Sequence, residues 1–200
     1  MRRHEAIPDD GLDARVADGG ESIDADADRD TARARVVVTG TPGTGKTTAV
    51  ERVETELAVV HLNEWIAERG LYAGYDDERD TRVVDLDAVR RQFPGGGLVE
   101  SHLAHHLPAG RVVVLRCHPS TLRERLIDRG EPSATAEENA ESEALDLILG
   151  EAVDRHGPDV VHEVETTDRD PDATASEIEA VLAGERDPGV GRVSYVDYLV

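Results

Sequence analysis

Gly40-Thr-Pro-Gly-Thr-Gly-Lys-Thr47 sets three glycines, a lysine and a hydroxyl at the spacing G-x-x-x-x-G-K-T. The chemistry of that set is phosphate binding. The glycines let the backbone curl until successive N–H groups and a helix N-terminus face one anion. Lys46 then reaches the β- and γ-phosphates, and the Thr47 hydroxyl meets Mg²⁺. Lys46 is the only lysine in the chain, kept where a compact three-donor ammonium is useful. A second loaded stretch is Leu98-Val-Glu-Ser-His102, a short apolar run that ends in an acid with a histidine two residues on. Arg125 and Arg129 lie four apart, on one helix face, ahead of a Gly130-Glu-Pro132 break that could hinge a lid over phosphates. Solvated surface arginines are the other reading of that pair.

The elements needed to position these groups are legible. Val36–Val38 before the loop suits a buried parallel strand, and Thr48 onward suits a helix. Further strands are expected at 56–62, 98–100, 111–116 and 158–165. Helices are expected at 63–69 with Asn63 as cap, at 88–93, at 119–129, and at 172–182 capped from Asp172 or Thr174. One long helix is expected from Ala136 to about Arg155, with Leu145, Ile148, Leu149 and Val153 on one stripe. A short strand or turn is expected at 83–87, and a docked C-terminus held by Tyr195, Tyr198 and Leu199. Alternating strands and helices predict an α/β fold, a five-stranded parallel sheet with helices on both faces. The ligand crevice then lies at the carboxyl ends of the strands.

Length and charge set bounds. Two hundred residues suit one domain, and 43 acidic against 22 basic residues give a net charge of −21. That excess suits a high-salt cytoplasm, where a short Debye length screens self-repulsion. It disfavours non-specific contact with nucleic acid, although a local arginine cluster could bind it. The lone Cys117 excludes an intrachain disulfide and reads as a packed thiol in a reduced, cytoplasmic protein. No signal-peptide or membrane-spanning run is seen, so no membrane partner is expected. Residues 1–33 read as an acidic tail with too few apolar residues to offset their ordering entropy. A docking segment for a basic partner is the alternative.

Several side chains carry two readings. His61 next to Asn63 suits a site rim or the core, and Trp65 reads as helix packing. His105 and His106 read as ordinary helix residues, without a third metal ligand spaced for them. A single lysine rules out the Asn-Lys-x-Asp run with which GTPases read guanine. A small kinase or an ATPase of similar build remains.

The loop Gly40–Thr48 resembles that of adenylate kinases, and more narrowly the small type called adenylate kinase isoenzyme six, or Fap-seven. Three more stretches carry that resemblance: Leu71-Tyr-Ala-Gly-Tyr-Asp-Asp-Glu-Arg-Asp80, Val99-Glu-Ser-His102, and Leu122–Gly130 followed by Glu138-Asn-Ala-Glu141. It covers roughly residues 35–182. It implies a phosphate-loop nucleoside-monophosphate-kinase domain over 34–200, with an acceptor region near 61–93 and a short lid near 125–140. Broad-specificity transfer from ATP to AMP is implied, together with ATPase activity. Late maturation of the small ribosomal subunit is implied as well, through a basic platform ribosomal protein and the subunit precursor, without sequence-specific nucleic-acid binding. An assembly ATPase with little kinase activity is the alternative.

By position, Gly43, Gly45, Lys46, Thr47 and Thr48 would bind ATP phosphates, and Thr47 and Glu100 would hold Mg²⁺, the latter through water. Lys46, His102 and Arg129 would be catalytic, with Arg129 also at the ATP end. Asn63, Arg69 and Tyr75 would border the acceptor nucleotide. Departures are visible: Glu100 stands where the family often has Asp, Ala67 where an arginine is expected, and Gly130-Glu131 where the lid has Gly-Tyr. Arg69 or Arg90 would then have to hold the acceptor phosphate.

Overall fold

The structure is a computed structural model that describes residues 30–77 and 81–200. Of the acidic tail only residues 30–33 are described, in a helical turn closed by Ala34 N–H on Asp30 O at 3.0 Å. The rest of that tail, and Glu78-Arg79-Asp80 of the acceptor stretch, lie outside the described residues.

Strand β1 (Arg35–Thr39) is buried at every position, as a run of valines predicts for a strand covered on both faces. It leads through the glycine loop into helix α1 (Lys46–Val50). Strand β2 (Val59–His61) passes directly into helix α2 (Leu62–Arg69). Next come a hairpin of β3 (Tyr72–Asp76) and β4 (Thr81–Val84), and helix α3 (Leu86–Gln92). Strand β5 (Gly97–Glu100), a 3₁₀ turn at Ala104–His106 and strand β6 (Arg111–Arg116) follow. Helices α4 (Pro119–Asp128), α5 (Ser133–Ala144) and α6 (Leu147–His156), strand β7 (Val161–Glu165) and helix α7 (Pro171–Ala183) complete the main body.

The parallel sheet has the order β2-β5-β1-β6-β7, with Val38 opposite Glu100 on one side and Val113 on the other. Alternate residues face opposite layers. Val37, Val99, Val112 and Val114 pack against Leu62, Ile66, Val89 and Leu149 of α2, α3 and α6. Val36, Val38, Val113 and Leu115 pack against Ala49, Val50, Ile178 and Val181 of α1 and α7. Each fully buried valine contributes roughly 1.5–3 kcal/mol, so β1 is among the best anchored parts of the sheet. The expected five-stranded parallel sheet, covered on both faces, is what forms. Among the described residues no helix is long and apolar enough to cross a membrane.

Local expectations are corrected in four places. Asn63 does not cap α2: His61 holds the N-cap position, and the Asn63 carboxamide oxygen instead accepts from Ser101 Oγ at 2.7 Å. Helix α7 is capped by Asp170, whose side chain accepts from Asp172 N–H, rather than by Asp172 or Thr174. The long helix is two, separated at Asp146 with φ of 55°. There the buried Arg116 takes the Glu143 carboxylate, the Glu143 carbonyl and Asp146 Oδ1, bonds that a continuous helix could not present together. Leu145, expected on the apolar stripe, is 54% exposed at that break. At the C-terminus Tyr195 is buried and Tyr198 donates to Glu137, but Leu199 is 42% exposed rather than buried as an anchor.

Candidate active site

The loop between β1 and α1 is forced by its glycines. Gly40 has φ of 142°, and a Cβ there would stand 2.4 Å from the Leu115 carbonyl oxygen. Gly43, with φ of 95°, leaves its space to Leu122 and Leu126 of α4. Two hollows meet at this loop. One, of about 320 Å³, is bordered by Gly43, Thr48, Arg129, Arg169, Pro171 and Thr174. The other, of about 220 Å³ and more polar, is bordered by Lys46, Thr47, Asn63, Glu100, His102 and Arg129.

Lys46 is buried, and its ammonium donates to the Gly40 carbonyl at 2.9 Å and to the Thr41 carbonyl at 3.1 Å. Burial lowers its pKa to about 8, partly offset by Glu100 and Glu143 and reinforced by Arg129. Thr47 Oγ1 donates to Glu100 Oε1 at 3.3 Å, and the same oxygen meets His61 Nδ1 at 2.9 Å. Glu100 is buried, paired in register with Val38, so the sheet itself aims its carboxylate at the loop. Thr47 and Glu100 thus offer Mg²⁺ two hard oxygen donors side by side, the kind of set that ion takes. His102 lines the same hollow. Burial, then the Lys46 and His105 charges, lower its pKa to about 4, so at neutral pH it is an uncharged imidazole.

The arginines separate. Arg129 borders both hollows, with its side chain 58% exposed and paired to Glu131 at 3.3 Å. Arg125 also lines the larger hollow but is tied down: it donates to the Thr166 and Thr167 carbonyls at 3.2 and 3.0 Å and toward Cys117 Sγ at 3.3 Å. Cys117 is buried, which pushes its thiol up to about 11, consistent with a packed group. Asn63 reaches the polar hollow. Arg69 and Tyr75 line neither hollow: Arg69 stacks over Trp65 at 4.4 Å, and Tyr75 sits exposed on the hairpin. Arg90 donates to the His106 carbonyl at 3.0 Å and to Asp87, beside the starts of β1 and β6, away from the loop. Trp65 packs edge-on to Phe93 at 5.0 Å, as a packing residue should.

Several contributors escape sequence reasoning. Thr166 Oγ1 donates to the Thr44 carbonyl at 2.9 Å and so joins the β7 end to the loop. Arg169, Pro171 and Thr174 close the larger hollow. Their only signal was position, since they follow the last strand of a parallel sheet at its carboxyl end. His61, open between rim and core, proves to hold Glu100. The two histidines at 105 and 106 do have a third potential ligand, Glu151, which α6 brings across 45 residues of sequence from His106.

Residues 36–146 match the family described as AAA domain. A protein of Natronomonas pharaonis named "Putative adenylate kinase" is 61% identical over 167 residues, 82% of this chain and 99% of that protein. One of the same name from Halobacterium salinarum is 57% identical over 168 residues, again 82% and 99%. A solved sulfotransferase from Alicyclobacillus acidocaldarius aligns with a TM-score of 0.49 at 13% identity, over 82% of this chain and 87% of that one.

Proposed function

Because the chain belongs to the adenylate-kinase-like family of these archaeal proteins, we propose that it is a nucleoside-monophosphate kinase that transfers the γ-phosphoryl group of ATP to AMP. The observation that carries the reading is the junction of the two hollows at Gly43, Thr48 and Arg129. The larger suits the base and ribose of the donor. The polar one continues past Lys46 toward Asn63 on α2, the side from which an acceptor phosphate would meet the triphosphate. A plain ATPase has no use for that continuation.

Transfer asks for alignment and charge compensation more than for covalent chemistry. The N–H groups of the loop cradle the phosphates. Lys46 gives up the Gly40 and Thr41 carbonyls and donates to the transferring group. Arg129 approaches from the lid, where Gly130 with φ of 91° lets the chain turn between α4 and α5. Thr47 and Glu100 would hold Mg²⁺, Glu100 oriented by His61; the ion supplies charge neutralisation on the phosphate oxygens. Neutral His102 orients a phosphate oxygen or a water by hydrogen bonding rather than by charge. In the absence of acceptor, the same placement supports slow ATP hydrolysis.

The test gives purified full-length protein ATP and Mg²⁺ in molar KCl, with and without AMP. Two ADP formed per AMP consumed, well above the rate of phosphate release, is the expected result. AMP-independent hydrolysis alone would overturn the kinase reading in favour of an ATPase. A further arm adds a basic small-subunit platform protein, the partner implied by the resemblance; an unchanged hydrolysis rate would remove the assembly role.

A further inference from the structure

We propose that His105, His106 and Glu151 form a binding site for a late first-row divalent metal ion, zinc by the chemistry of its donors. The site stands apart from the phosphate hollows and does not depend on the function read there. One ligand atom from each residue lies within 4.8 Å of the other two. His105 Nε2 is 3.0 Å and His106 Nε2 is 3.8 Å from Glu151 Oε2. Two donors on one zinc ion, each about 2.1 Å from it, stand roughly 3.0–3.4 Å apart. The His105 spacing already meets this, and His106 has a few tenths of an ångström to close. The 3₁₀ turn sets the two imidazoles side by side, with centroids 4.2 Å apart and planes at 37°.

Two observations point to an ion rather than to packing alone. The His106 ring, 12% exposed, makes no hydrogen bond among the described residues, so its Nε2, 3.8 Å from Glu151 Oε2, has no competing partner. Secondly, His105 Nδ1 is held by Thr39 Oγ1 at 3.0 Å, and that hydroxyl also reaches the His102 carbonyl at 3.3 Å. Thr39 Oγ1 and Glu151 Oε2 thus hold the two ring nitrogens of His105 from opposite sides. Holding the far nitrogen of a histidine is also how a ligand's tautomer and orientation are fixed.

Two neutral imidazoles and one carboxylate suit zinc and its neighbours and leave a fourth position for water, on the side where Glu151 is 54% exposed. Mg²⁺ and Ca²⁺ need more oxygen donors than this. Because Thr39 is the residue before Gly40, the ion would brace the entry to the phosphate loop from behind.

The experiment titrates tag-free, metal-stripped full-length protein with zinc chloride by calorimetry, without nucleotide. One zinc per chain is expected, weakened about tenfold or more in His106→Gln and in Glu151→Gln and unchanged in Glu100→Gln. Circular dichroism of each variant accompanies the titration. Nitrogen-15 spectra of the wild-type imidazoles give a measurement that needs no variant: zinc should shift the Nε2 resonances of His105 and His106. Absence of binding, binding that survives both substitutions, binding lost only in Glu100→Gln, or unmoved Nε2 resonances would each overturn the site.

Discussion

Thr41 in the phosphate loop donates its hydroxyl hydrogen to Glu143, 102 residues later in the chain. The other carboxylate oxygen of Glu143 accepts from Arg116 Nε at 2.7 Å and from the Cys117 N–H at 3.1 Å. Arg116 in turn donates to Glu163 at 2.8 Å, and its side chain is only 1% exposed. One buried carboxylate therefore joins the loop, the ends of β6 and β7 and the helix behind the lid.

Removing one partner from such a network leaves the others buried and uncompensated. Glu143→Gln, of the same shape but uncharged, should destabilise the protein by about 3 kcal/mol. Denaturant unfolding in molar KCl measures this. A loss below about 0.5 kcal/mol, the range of ordinary surface changes, would show that the network contributes little.

Lys46 predicts a proton linkage. Its folded pKa of about 8 lies below the ordinary lysine value of about 10.4. Between those two values the unfolded chain holds more protons, so this group's contribution to stability rises as pH climbs from 8 toward 10.4 and is unfavourable below. Bound phosphates restore the charge, so ADP binding at pH 8 should take up a fraction of a proton. Calorimetry in buffers of different ionisation enthalpy reads that uptake, and it should vanish in Lys46→Ala. The same variant should lose about a hundredfold or more in phosphoryl transfer with its circular dichroism unchanged.

The two lid-helix arginines should behave oppositely. Arg129→Ala removes an exposed side chain, so stability should change by less than about 0.5 kcal/mol while turnover falls at least tenfold. Arg125→Ala strands the Thr167 carbonyl, takes one of two donors from the Thr166 carbonyl, and should cost about 1–3 kcal/mol. Thermal unfolding and steady-state rates on both variants separate them; equal stability losses would contradict the assignment.

Charge predicts a salt response. At −21 the folded chain repels itself in dilute buffer. Its melting temperature should rise between 0.1 and 2 M KCl as screening shortens the reach of that repulsion. A flat profile would show that the acidic surface carries no such cost.

The sequence by itself determined the parallel sheet, its two covered faces and the phosphate loop. These rest on local causes: β-branched runs, glycines where φ is positive or a Cβ has no room, and alternation of strand and helix. Lys46, Thr47, Glu100, His102 and Arg129 were legible as candidates because each sits within a few residues of a strand end or a break, and Asn63 only through the resemblance; all six line the polar hollow. Tertiary structure alone decided the rest. Whether Arg125 binds ligand or scaffold depends on carbonyls 41 and 42 residues away. The helix break at Asp146 answers to Arg116 on another element, against local propensity. His61 is assigned to Glu100 by the register of β2 on β5, and Glu151 reaches His105 only because α6 packs beside the 3₁₀ turn. Partners distant in sequence leave no periodicity behind, since a side chain's charge is matched in space rather than along the chain.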